Sequence, residues 1–307
     1  MTIDQDLLKR FEDGLDPQRL ERSTVSAALV GFGEISAIFR LDDHPGLVYK
    51  RMPLFKDVPA ARKYEAMYFE YCDLLRRAGL SVPETWTAVV QSEGRPAALY
   101  IAQPAFAQEL FAHRLLHGQT PEDSRRLLEA VLTESEKIWS FNDRQARELE
   151  LAIDGQLSNW VLDTSDKDAG WQYIDTSTPL FKKNGVQQLD PRLILQAAPG
   201  CLRWVLEVFF VDEVMNRYFD PRKNLIDLVA NLYKEQRPDL APLFVETINA
   251  RLAGRIEALT LRDVRKYYRE DRFIWSLFLN LRKLDRWIGT RVLGRRYEFI
   301  LPGEIKR

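Results

Sequence analysis

The stretch VSAALVGFGEISAIFRLDDHPGLVYKRM (25–52) reads as three strands in succession. VSAALV (25–30), AIFRL (37–41) and LVYKRM (47–52) are rich in β-branched and aromatic residues, and glycine or Asp-Asp-His-Pro-Gly turns separate them. Gly31 and Gly33 lie between the first two runs, and DDHPG joins the second to the third as a hairpin. Lys50 and Arg51 are neighbours in the third run, so a strand sends their side chains to opposite faces.

Working outward, residues 4–22 read as a short polar helix with Leu7, Leu8, Phe11 and Leu15 on one side. Residues 60–78 are helical in period, with Tyr64, Met67, Tyr68, Tyr71, Leu74 and Leu75 together. SVPETWTAVVQSEGRPAALYIAQPAF then predicts two strands around the turn SEGRP. From Pro104 the chain turns helical. The segment 121–141 carries Thr120 as its N-cap and Pro121 at the first helical position. A strand–loop–strand insert, ELELAIDGQLSNWVLD and WQYIDTSTPLF, interrupts the helices. The expected architecture is α+β in two lobes. An extension at 1–22 leads into a β-rich lobe at 23–103, and a helical lobe follows at 104–307.

Composition sets limits on function. The 307 residues are 46% apolar and 29% charged, which excludes a disordered chain. Lys plus Arg number 44 against 45 Asp plus Glu, so net charge gives no reason to expect nucleic acid as a partner. The charge is uneven, however: residues 262–307 hold 13 basic and 6 acidic side chains. The string RKYYREDRFIWSLFLNLRKLDRWIGTRVLGRRYEF (265–299) resembles a nucleic-acid or lipid-headgroup surface in composition and could contact a partner or a membrane surface. Helical spacing of Phe273, Leu277, Leu281, Leu284 and Ile288 predicts that this side packs in the core. No apolar run is long enough to span a bilayer, and the start MTIDQDLLKR lacks the apolar core of a signal peptide. Cys72 and Cys201 fit buried, reduced thiols, and a cytoplasmic location is expected.

Five features fall in an ordered set. Gly31 and Gly33 could bring backbone amides to phosphate, or simply turn a hairpin. Lys50 on its strand needs an anion if buried, or else lies at an edge facing solvent. Glu65 and Glu70 on the next helix are alternative partners for it, Glu65 interrupting the apolar stripe more centrally. Asp154 and Asn159 stand five apart in DGQLSN, where a carboxylate can accept a hydroxyl proton and an amide oxygen can ligate magnesium. Asp175 ends the strand WQYID. Taken singly, each acid reads as a loop cap or turn residue.

In this order the set resembles the protein-kinase-like superfamily, in its aminoglycoside phosphotransferase and choline kinase branch, and AGLSVPETW (78–86) is similar to that branch's string after the glutamate helix. The resemblance covers residues 25–220. It implies a phosphotransferase using ATP and Mg2+ on a hydroxyl of a small molecule. It assigns Gly31, Gly33 and Ser36 to the nucleotide-covering loop and Lys50 to the phosphates, with Glu65 as its ion-pair partner. Residues 101–105, with Gln103, become the adenine hinge, Asp154 the catalytic base, and Asn159 and Asp175 the metal ligands. Ser36 replaces a third glycine, and Ala152-Ile153 replace the His-Gly that precedes the catalytic Asp. These departures keep a catalytically silent nucleotide-binding or interaction protein, and nucleotidyl transfer, as alternatives.

His113 and His117 have metal spacing without a third ligand. Trp204, Glu207, Phe210, Asp212 and Glu213 could line a pocket for a cationic substrate, whereas Lys182 and Lys183 would suit an anionic one.

Overall fold

A computed structural model describes residues 3–33, 36–145, 148–164, 170–190, 193 and 216–301. Its N-terminal part is a five-stranded antiparallel sheet in the order β1-β2-β3-β5-β4. The strands are β1 (Ala27–Phe32), β2 (Ala37–Leu41), β3 (Leu47–Phe55), β4 (Trp86–Gln91) and β5 (Ala97–Pro104). The hairpins follow the turn residues read from the sequence, with a bulge in β1 between Leu29 and Gly31.

Helix α2 (Val58–Ala78) joins β3 to β4. Asp57 caps it by accepting from the Ala60 N–H (2.8 Å), and Gly79 ends it at φ 97°, a left-handed conformation that suits glycine. The remaining described elements are mainly helical: α3 (Ala112–Leu115), α4 (Pro121–Arg144), α5 (Pro221–Lys234), α6 (Ala241–Arg251) and α7 (Leu261–Trp287). Thr120 and Thr260 cap α4 and α7, the latter in a reciprocal capping box with Asp263. Between α4 and α5 lie β6 (Leu149–Leu151), β7 (Trp160–Asp163), β8 (Gly170–Tyr173), β9 (Phe181–Lys183) and β10 (Val186–Gln187). They pair as β10-β9-β6 and β7-β8. The fold is therefore α+β in two parts, as the sequence predicts.

Two apolar clusters hold these layers. The larger joins the inner side of the sheet, α2 and the helical part, through residues such as Met52, Tyr68, Leu128, Trp160 and Phe244. The smaller packs α1 (Gln5–Gly14) against the outer side through Leu8, Phe11, Phe39, Tyr49 and Tyr100. Helix α1 is thus part of the sheet lobe, and its helical run is shorter than residues 4–22. The chain's later residues also return there: the Glu298 carbonyl accepts from Arg51 (2.7 Å), and Ile300 packs on the outer cluster.

The expectation that α7 is sealed in the core is overturned. Phe273 is 68% exposed and Leu284 51%, and Leu277 and Ile288 are also exposed. Leu281 is half-buried, so helical spacing marked a face that no described element covers.

Candidate functional site

Strand β3 carries Lys50 to the inner side, where Nζ meets Asp175 Oδ1 at 3.2 Å and the Ile174 carbonyl at 3.4 Å. The lysine side chain is 9% exposed, so the ion pair answers the cost of burying its charge. Asp175 follows β8, and the Ser177 hydroxyl also donates to its Oδ1 (3.0 Å). The Ile174 N–H donates to the Asn159 carbonyl (3.0 Å), which fastens the loop of Asn159 beside the strand end of Asp175.

Neither glutamate meets Lys50. Glu65 accepts from Arg62 (2.7 Å) and from the Thr87 hydroxyl (2.6 Å), while Glu70 pairs with Lys183 (2.6 Å). The predicted Lys50–Glu65 pair is thus absent, because α2 turns a tyrosine face inward. Tyr64 donates to the Ser177 carbonyl (2.7 Å), Tyr68 bonds the Thr176 hydroxyl (3.1 Å) and Tyr71 donates to the Ala152 carbonyl (2.8 Å). The helical period of 60–78 marks these rings as core, and three phenols on one buried stripe also require hydrogen-bond partners. Tyr71→Phe is expected to cost about 1–3 kcal/mol, since the Ala152 carbonyl loses this donor in a buried site. Urea unfolding checks it, and an unchanged midpoint would remove Tyr71 from the account.

The loop of Asp154 is held from three sides. Its N–H donates to Tyr173 Oη (3.1 Å), and its Oδ1 accepts from the Gln156 N–H (3.1 Å). Asn224, at the start of α5, donates to the Ile153 carbonyl (2.6 Å). Tyr71, Tyr173 and Asn224 thus fix the segment 152–154, whose first two residues stand where the resemblance would place His-Gly. A Cβ on Gly155 would stand 2.5 Å from Asn224 Oδ1, so this close approach calls for glycine. Asp227 is buried nearby and accepts from Gln156 Nε2 (3.1 Å). Burial, reinforced by Asp227 and Asp175, pushes the Asp154 carboxyl up to about 8. Sequence reading gave no signal for Asn224 or Asp227, which lie some 70 residues from the loop they touch.

Asn159 spends its Nδ2 on the Asp154 carbonyl (3.1 Å), and no described residue donates to its Oδ1. That oxygen and the Asp175 carboxylate are hard donors of the type magnesium takes, with phosphate oxygens completing the shell. The residues therefore fit a magnesium ion shared with a nucleotide. Among the described residues no group of three or more His, Cys, Asp and Glu side chains could hold a metal alone, so His113 and His117 form no such site. Burial pulls the His113 imidazole down to about 4.

The glycine hairpin is tight. The Gly33 N–H donates to the Ser36 carbonyl (2.9 Å), and a Cβ on Gly33 would lie 2.5 Å from Ser36 Oγ. Gly31 pairs with Ile38 in the strand ladder. The Gly33 amide assigned to phosphate is thus committed to the turn. Gln103 sends its amide to the Ile174 carbonyl and the Thr176 hydroxyl (both 3.2 Å), bracing the loop of Asp175 rather than projecting from the hinge. Lys182 pairs with Glu150 (3.1 Å) and Lys183 with Glu70. Trp204, Glu207, Phe210, Asp212, Glu213 and Cys201 lie outside the described residues, whereas Cys72 is buried and burial raises its thiol.

A strand lysine, a helix packed behind it, a linking strand, an Asp-x4-Asn loop and an aspartate just past a strand are thus spread over an antiparallel sheet and a mainly helical part in one α+β fold. Residues 18–286 match the profile of DUF6206, a family of unknown function, and the chain belongs to that family. No curated protein matches the chain. A solved structure of WaaP in complex with acyl carrier protein is similar over 78% of this chain and 98% of that chain, at 15% identity and a TM-score of 0.35.

Proposed function

We propose that this protein binds Mg-ATP between its lobes and transfers the γ-phosphoryl group to a hydroxyl of a small molecule. The observation that carries this reading is the ion pair of Lys50 with Asp175, 125 residues apart, beside the loop that bears Asp154 and Asn159. In the proposed chemistry Asp154 accepts or orients the acceptor's hydroxyl proton. Lys50 leaves Asp175 to neutralise phosphate oxygens, and Asn159 and Asp175 hold the metal. Magnesium, when bound, offsets the charge that builds on the transferring group. The lobes exclude water from the transfer.

The test is thermal unfolding with and without Mg-ATP, on the wild type and on Asp175→Asn. A ligand that binds only the folded state at about 100 times its Kd adds about 2.7 kcal/mol, or a rise of about 4 °C for a chain of this size. The rise is expected in the wild type and not in Asp175→Asn, whose near-isosteric amide limits packing damage around Lys50. A shift of equal size in both proteins would sink the metal assignment. Binding without ADP release on any hydroxyl acceptor would favour the silent nucleotide binder, which the Lys50–Asp175 pairing in place of Lys50–Glu65 also suits. Transfer of AMP instead of phosphate would favour nucleotidyl transfer.

A further inference from the structure

The exposed side of α7 has no role in the cleft, and its composition changes along its length. Its first half presents Arg262, Arg265, Lys266, Arg269 and Arg272 to solvent, with Glu270 as the exposed acid among them. Its second half continues the same side with Phe273, Leu277, Leu284, Trp287 and Ile288, flanked by exposed Lys283 and Arg291. Phe273 is 68% exposed, Trp287 57% and, just beyond the helix, Val292 62%. Scattered exposed leucines are ordinary, but a contiguous stripe that includes Phe and Trp is not.

We propose that this side of α7 docks on an anionic lipid bilayer. Charge selects the occupant. Helix α7 itself holds 8 basic and 4 acidic side chains, a net +4, whereas residues 1–261 carry a net −8, so positive charge is concentrated on this helix. A negatively charged membrane attracts and orients such a molecule. A second copy meeting through this side would bury these basic side chains, against the same row if parallel or against the partner's apolar half if antiparallel, with no acidic row to pair them in either case. The shape agrees: large apolar side chains project from a convex helix, as a helix lying in a bilayer interface requires, with long basic side chains reaching the headgroups. No described helix is long and apolar enough to cross a membrane.

Docking would also orient the cleft. Within the first half of α7, Tyr267 Oη accepts from Arg217 Nη1 (2.5 Å), and Asp263 pairs with Arg222 (2.8 Å). Arg222 stands two residues before Asn224, which donates to the Ile153 carbonyl (2.6 Å) next to Asp154. The helix that would lie on the bilayer is therefore tied to residues beside the candidate base.

Co-sedimentation of the full chain with phosphatidylcholine vesicles, alone or mixed with phosphatidylglycerol, tests the proposal without reference to phosphoryl transfer. Binding is expected to the mixed vesicles, weakened by salt, and not to phosphatidylcholine alone. Each basic residue near an anionic surface is worth about fivefold, so Arg265→Ala with Arg269→Ala should weaken binding about 25-fold. Removing the same charge elsewhere, by Arg77→Ala with Arg126→Ala, should leave binding largely intact. Phe273→Glu with Trp287→Glu should abolish it, and thermal unfolding verifies that each variant is folded. Equal loss in the two arginine pairs, or no binding to mixed vesicles, would overturn the proposal. So would a concentration-dependent dimer that Trp287→Glu dissolves, which would assign the surface to a second copy.

Discussion

Asp154→Ala is expected to slow phosphoryl transfer about 10²–10⁴-fold, the range that a positioned general base supplies, while Mg-ATP still raises the melting temperature. The split follows from the site. Asp154 has no ion pair with Lys50, whose Nζ is taken by Asp175 and the Ile174 carbonyl. Its Oδ1 accepts a single backbone N–H, from Gln156. Loss of the carboxylate thus leaves the lysine and both proposed metal donors standing. Burial, reinforced by Asp227 and Asp175, raises the proton affinity of Asp154, which suits a group that takes a proton near neutrality. ADP release in single turnover, with the acceptor found by screening hydroxyl compounds, reads the effect. Undiminished turnover in Asp154→Ala would remove it from the chemistry, even with nucleotide bound in the cleft.

The sheet was legible because strands declare themselves over short distances. Alternation and turn residues in 25–52 set β1 to β3, and one residue of offset sends Lys50 inward and Arg51 outward. The convergence of Lys50 with Asp175 was legible only through the order of motifs, since nothing local links residues 125 apart. The partner of Lys50 was not legible. Which side of α2 faces the lysine depends on the helix's rotation, and Tyr64, Tyr68 and Tyr71 set that rotation by burying rings and bonding their hydroxyls to loops far along the chain. Likewise the apolar spacing in α7 defined a side without saying whether another element covers it. Periodicity reports the direction of a face, whereas its covering is a tertiary fact.

Glu12→Ala is expected to cost about 3–5 kcal/mol of stability, the cost of taking from a buried cation the carboxylate that binds it through two hydrogen bonds. Arg51, the outward neighbour of Lys50, is 2% exposed, and Glu12 from α1 is 1% exposed. Two bonds join them, Nε to Oε2 at 2.7 Å and Nη2 to Oε1 at 2.6 Å. Arg95 and the Tyr100 hydroxyl also donate to Glu12. Glu298 completes the group, 3.0 Å from Arg51 and 3.1 Å from Arg95. One cluster therefore fastens α1, β3, the turn before β5 and the returning residues near 298 to the outer side of the sheet. Burial alone would raise the Glu12 carboxyl, but hydrogen bonds and charge from Arg51, with Tyr100 and Arg95, outweigh it and hold the carboxyl below its ordinary 4.5. A depressed carboxylate contributes its stability above the unfolded pKa and loses it as pH falls through the folded one. The wild type should accordingly lose stability as pH falls below about 4.5, with Glu298 shifted in the same direction. Glu12→Gln should flatten that acid limb while retaining much of the packing. Urea unfolding across pH reads both effects, and an acid limb in Glu12→Gln as steep as the wild type's would show that other carboxylates govern it.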